Sequence, residues 1–87
     1  MRHNEIPCDL ESTARHLCRR PRPIRDGEIH GVGKMYWSSY WRDWYEVVRE
    51  EFECNGVLRY VVCRWSNGNI TRHATPLSTT DWELVPV

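Results

Sequence analysis

Three features of the sequence point to a mainly β domain preceded by a short helix. Val57 to Trp65 is dense in β-branched and aromatic residues and stands between two Asn-Gly pairs, as a strand between tight turns should. Ile70 to Thr75 follows the second pair as its return strand, and Pro76 ends it. Near the start, Arg19-Arg-Pro-Arg-Pro-Ile-Arg25 stops a short helical pattern, because two prolines with fixed φ and no amide donor cannot continue a helix.

Eighty-seven residues make one domain, and a chain of that size buries only about two-thirds of the surface it exposes when unfolded. Large side chains must supply the core, and five Trp, four Tyr and one Phe are available for it. Twelve basic and twelve acidic residues balance, so no global field drives attachment to nucleic acid or to a membrane. Met1 opens a polar run without an apolar signal core, and no apolar stretch approaches the roughly twenty residues that span a bilayer. The expectation is a cytoplasmic protein with no membrane partner. In that compartment Cys8, Cys18, Cys54 and Cys63 are expected as free thiols.

Taken in order, residues 1–23 are expected to hold the helix and a basic connector, and residues 24–87 the β domain. Leu10, Ala14, Leu17 and Cys18 recur at helical spacing after Pro7 and Asp9, with Asp9 as N-cap. Arg19 to Arg25 reads as an extended, polyproline-like linker whose arginines pair with acids elsewhere or lie along phosphates. Asp26-Gly27 is a turn signal, and Glu28 to Gly33 alternates around glycines as a first strand.

Lys34 to Tyr45 gathers six aromatic rings within ten residues from Tyr36. On a helix, Tyr36, Trp37, Tyr40, Trp41, Trp44, Tyr45, Val47, Val48 and Phe52 share one half of the circumference, with Glu51 alone breaking the pattern. An α+β alternative therefore places a helix over about 36–54, packed on a C-terminal hairpin. Against it, Trp44 to Val48 is rich in β-formers and Asn55-Gly56 is a strong hairpin signal. A two-residue turn there sets Phe52 opposite Arg59 and Val48 opposite Cys63, yet leaves acids on both faces. Ser78 to Asp81 suggests a single helical or 3₁₀ turn, and Trp82 to Val85 a short closing edge strand.

The run Tyr60 to Asn69, the short strand after it, Pro76-Leu77 and Asp81-Trp-Glu-Leu84 resemble the second half of small SH3-like barrels of the Tudor or KOW type. The resemblance covers roughly the last thirty residues as a pattern, built on turn chemistry that is widespread. It implies an SH3-like partly open barrel that binds peptides or nucleic acid through aromatic residues of a long first loop. It assigns no ligand class.

The expected function is a non-enzymatic module that recognises a protein partner through Tyr36, Trp37, Tyr40, Trp41 and Trp65, since Trp and Tyr dominate interface hot spots. Trp44, Trp65 and Trp82 are expected in the core, with Trp65 behind the loop. The alternative from another class is nucleic-acid binding, with Arg19, Arg20, Arg22 and Arg25 on the backbone and rings stacked on bases. A third alternative is a small metal-stabilised domain. Against it, the cysteines stand nine or ten residues apart within each half rather than in close pairs, and helix geometry turns His16 and Cys18 to different faces. No nucleophile, base and orienting group fall into a recognisable catalytic pattern, so no cofactor and no enzymatic activity are expected.

Overall fold

The computed structural model describes residues 5–53, 55–56 and 59–87. In chain order it contains α1 (Cys8–His16), β1 (Arg19–Pro23), β2 (Met35–Ser38), β3 (Asp43–Phe52), β4 (Arg59–Trp65), β5 (Ile70–Ala74) and β6 (Trp82–Pro86). The protein is mainly β with one short helix, and its strands form one antiparallel sheet ordered β1-β6-β2-β3-β4-β5. The sheet does not close, and β1 and β5 are its two ends. Expectations that fall on Cys54, Val57 and Leu58 lie outside the described residues.

The rival helix over 36–54 does not form. Residues 36–52 are β2, a tight turn and β3 instead, and a bulge sets the phase of β3. Phe52 opposes Arg59 and Glu50 opposes Val61, as a two-residue turn requires, but the register slips between Val47 and Arg49, so Val47 faces Cys63 and Tyr45 faces Trp65. The extra residue at Val48 switches the parity of β3. Tyr45 and Val47 thereby share a face with Val61 and Cys63, which an unbulged strand would have given to Glu46 and Val48.

Alternation along β2 then separates two cores. Tyr36, Tyr45, Val47, Val61 and Cys63 pack on one side, with Ile24, Trp65 and Leu77 against them. Trp37, Trp82 and Leu84 pack on the other, under Leu10 and Ala14 of α1. Trp37 stands opposite Trp44 on β3 and Trp82 on β6, so three indoles form a ladder across the sheet. The helix is needed to cover it. Pro7 precedes the first turn and Asp9 lies within it, so Asp9 is not the N-cap; its carboxylate accepts a hydrogen bond from the Leu10 amide at 2.9 Å.

Three segments differ from expectation. The arginine connector is not a solvated linker but strand β1, paired along its length with β6. Arg22 holds it there through two bonds to Glu28, at 3.1 and 2.9 Å, and one to Glu83 at 2.5 Å. The Arg22 guanidinium and the Arg25 amide lower the Glu28 carboxyl to about 2. Trp82 to Pro86 is consequently an interior strand between β1 and β2 rather than an edge. Glu28 to Gly33 is irregular backbone and the meander starts at Met35, because turns at Asp26-Gly27 and Val32-Gly33 break up the segment. Only Gly33 and Lys34 reach β3, the former donating to and the latter accepting from Val47 at 2.8 and 3.0 Å.

Leu10 is fully buried over the tryptophan ladder. Leu10→Ala is expected to cost about 3 kcal/mol through lost transfer energy and residual cavity, read as a lower urea midpoint at unchanged slope. Loss of α1 with little change in midpoint would contradict the role assigned to the helix.

Candidate aromatic binding cleft

The turn between β2 and β3, which runs between buried Ser38 and buried Tyr45, carries Tyr40 and Trp41, 80% and 66% exposed. Their backbone is tightly held. Trp41 N–H donates to Ser38 Oγ at 3.0 Å, Arg42 N–H donates to Ser38 O at 2.8 Å, and Ser39 Oγ donates to Thr80 O at 2.5 Å. Arg42 adopts a left-handed φ of 56°, a conformation that costs a non-glycine residue about 1 kcal/mol. Its guanidinium reaches Asp9 of α1 at 2.8 Å, tying the turn to the helix. The two rings meet edge to face with centroids 4.8 Å apart.

Beside this turn lie two adjoining clefts of about 230 and 420 Å³, which share Trp41, Trp65 and His73. Tyr45, Cys63 and Asp81 belong to the first, and Asp43 and Thr71 to the second. Asp81 is 7% exposed. Its carboxyl group accepts from Tyr45 Oη at 2.6 Å and from the Ser39 amide at 3.2 Å, so the acid links the closing segment to the turn. Burial, and then the hydrogen bond to Asp81, raise the Tyr45 hydroxyl far above the usual phenol range and keep it a donor. Trp65 packs on Tyr45 at 4.8 Å and donates from Nε1 to Thr71 Oγ1 at 2.7 Å. Thr71 Oγ1 also lies within hydrogen-bond distance of His73 Nε2, at 2.7 Å, with the donor set by the imidazole tautomer. Both walls are therefore positioned by hydrogen bonds.

Behind Tyr45 the rings continue inward, with Tyr36 at 5.6 Å from Tyr45 and His30 at 4.3 Å from Tyr36. Tyr36 Oη accepts from the Gly31 amide at 2.8 Å. His30 is 4% exposed, and its Nε2 has no hydrogen-bond partner among the described residues. Burial lowers its basicity below the ordinary 6.5.

Of the five expected contact residues, the structure brings Trp41 and Trp65 to one cleft with Tyr40 at its rim. Tyr36 and Trp37 are corrected: at 2% and 3% exposure they are core residues of β2, because the turn begins only after Ser38. Trp44 is half-buried at the edge of the indole ladder, Trp82 is core, and Trp65 is a half-buried cleft wall. The four arginines do not form an arm. Arg22 is paired, Arg19 donates to Leu84 O at 3.2 Å, and Arg20 and Arg25 are exposed, all on or beside β1 at the opposite end of the sheet from β5. Sequence reasoning missed Asp81, Tyr45 and His73 as site residues. Asp81 lies in a Ser/Thr-rich turn whose pattern signals only turn chemistry, and its partner Tyr45 is thirty-six positions away.

Cys63 lines the cleft, but burial pushes its thiol up to about 11, so it stays protonated at neutral pH and lacks a thiolate's nucleophilicity. Cys8, Cys18 and Cys63 are free. Among the described residues no group of three or more His, Cys, Asp or Glu is placed to hold a metal ion, and no helix is long and apolar enough to cross a membrane. Comparison with protein-family models, curated proteins and solved structures found no match to this chain.

Two outcomes follow from this geometry. A histidine less basic when folded binds its proton preferentially in the unfolded state, so the His30 contribution is complete above pH 6.5 and is lost as pH falls below it. Urea unfolding between about pH 5 and 7.5 should show that slope, and His30→Phe should flatten it; an identical slope in the variant would refute the assignment. Asp81→Asn weakens the Tyr45 and Ser39 bonds and should cost about 1–3 kcal/mol. Trp41 emission should be more readily quenched by acrylamide in that variant, measured against a Trp41→Phe control.

Proposed function

We propose that this protein is a non-enzymatic interaction module that takes a basic side chain of a protein partner into the cleft between Trp41 and Trp65. The observation that carries the reading is the exposure of Tyr40 and Trp41 on a turn held rigid from both sides. Exposed large rings on a mobile loop would be ordered at an entropic cost on binding. Here most of that ordering is complete in the free protein, which favours a hot spot.

The charge of the cleft supports the class of side chain. Its acids are Asp43 and Asp81, and neither Lys nor Arg lines it. Indole and phenol faces attract cations, with a contribution of about 0.5–2 kcal/mol according to desolvation. The SH3-like resemblance belongs to the same reading, with β4, a polar turn, β5, a further turn and β6 beside β2 as the elements it draws on. The nucleic-acid alternative draws less support, since Arg19 and Arg22 are engaged within the fold and β1 stands at the far end of the sheet from β5.

The test uses a displayed library of random linear peptides selected on the full chain. Recovered peptides are expected to contain Lys or Arg and to bind Trp41→Ala at least about tenfold more weakly, equivalent to about 1.4 kcal/mol. Circular dichroism of the variant should be unchanged, because Trp41 is not a core residue. Peptides indifferent to both Trp41 and Trp65, or an absence of binding peptides, would overturn the reading.

A further inference from the structure

The two ends of the sheet are built differently. β1 contains Pro21 and Pro23, which have no amide to offer, and it lies beside α1. Proline and a covering helix are standard means of blunting a sheet edge. β5, Ile-Thr-Arg-His-Ala, has no proline and has β4 as its one neighbour in the sheet order. Its edge is left open among the described residues.

The backbone groups that face this edge follow from the ladder. Trp65 N–H donates to Asn69 O at 2.9 Å and Thr75 N–H donates to Arg59 O at 3.0 Å, at opposite ends of the β4–β5 pairing. Bonded and non-bonded pairs alternate between antiparallel strands. Thr71 and His73 therefore turn their backbone groups toward β4, whereas Ile70, Arg72 and Ala74 turn theirs outward. Three amide donors and three carbonyl acceptors thus line a segment about 17 Å long.

The side chains alternate in the opposite sense. Arg72 lies on the outer face, 3.8 Å over the Tyr60 ring and bonded to Glu51 at 2.8 Å. Thr71 and His73 lie on the cleft face, where Thr71 accepts the Trp65 indole proton. A strand added beside β5 would direct every second side chain onto that same face, next to the larger cleft.

We infer that the open edge of β5 receives an extended, proline-free segment of a partner protein as a seventh strand, and that its residue beside Thr71 and His73 is the basic side chain that enters the cleft. The inference rests on the reading of the cleft as a protein-binding site. Main-chain bonding to β5 supplies affinity, and the cleft supplies selectivity. Charge argues against a second copy of this chain paired about Arg72. Two-fold antiparallel pairing centred on Arg72 would set two guanidinium groups directly opposite each other, which is destabilising.

A Lys- or Arg-containing peptide recovered from the displayed library serves as the probe. In its complex with the full chain, the amides of Ile70, Arg72 and Ala74 should exchange with deuterium at least about tenfold more slowly, as newly bonded amides do. Ala74→Pro removes one outward donor and leaves the β4 ladder intact, so it should weaken the peptide by about tenfold. N-methylation at alternate peptide residues should do the same, and it tests the pairing without altering the protein. Binding that needs Trp41 but leaves β5 exchange unchanged and tolerates N-methylation would overturn the strand addition while sparing the cleft. Binding that does not need Trp41 or Trp65 would overturn the cleft reading itself. Concentration-dependent protection of the same amides without peptide would overturn the choice of occupant.

Discussion

The ladder Trp44–Trp37–Trp82, roofed by Leu10 and Ala14, is the packing constraint on which the rest of the structure depends. Cross-strand pairs on one face stabilise a sheet, and aromatic pairs do so most strongly. With Trp37 committed to the helix side, the pleat sends Tyr36 to the opposite face, where it stacks on Tyr45 and meets the tilted His30 ring. The bulge at Val48 then brings β3 into phase with β4. Both cores of this small sheet follow from the alternation of two adjacent residues.

The same aromatic stretch changes role within three positions. Ser38 is the last residue of β2, and its oxygens cap the turn that follows. Tyr40 and Trp41 are thereby held away from both cores, anchored by Arg42 to α1 on one side and through Ser39 to Thr80 and Asp81 on the other. A hydrogen-bonded backbone beneath exposed rings leaves less conformational entropy to lose in the recognition role proposed for them. The buried Tyr45–Asp81 bond joins this arrangement to the core.

Several features were legible in the residues. The mainly β character, the short helix, the Asn-Gly hairpin with Phe52 opposite Arg59, and the β4–β5 return follow from propensity and turn chemistry, which act over a few neighbours. Other features were not. Arg19 to Pro23 reads as a linker because two prolines argue against a strand, yet an edge position tolerates residues without amides, and only the neighbouring β6 reveals that edge. Tyr36 and Trp37 could not be told from Tyr40 and Trp41 by composition, since what divides them is where β2 meets β3 and β6.

The sequence by itself determined the mainly β character, the short helix, the β4–β5 hairpin and the pool of rings available to core or surface, because strand preference, turns and ring content reside in short segments. Tertiary structure alone decided which rings are core and which are accessible, and it assembled Asp81, Tyr45, Trp65 and His73 around the exposed Trp41. The physical reason is separation along the chain. Asp81 meets Tyr45 across thirty-six positions, and the phase of β3 depends on one bulged residue that only pairing with β4 can place.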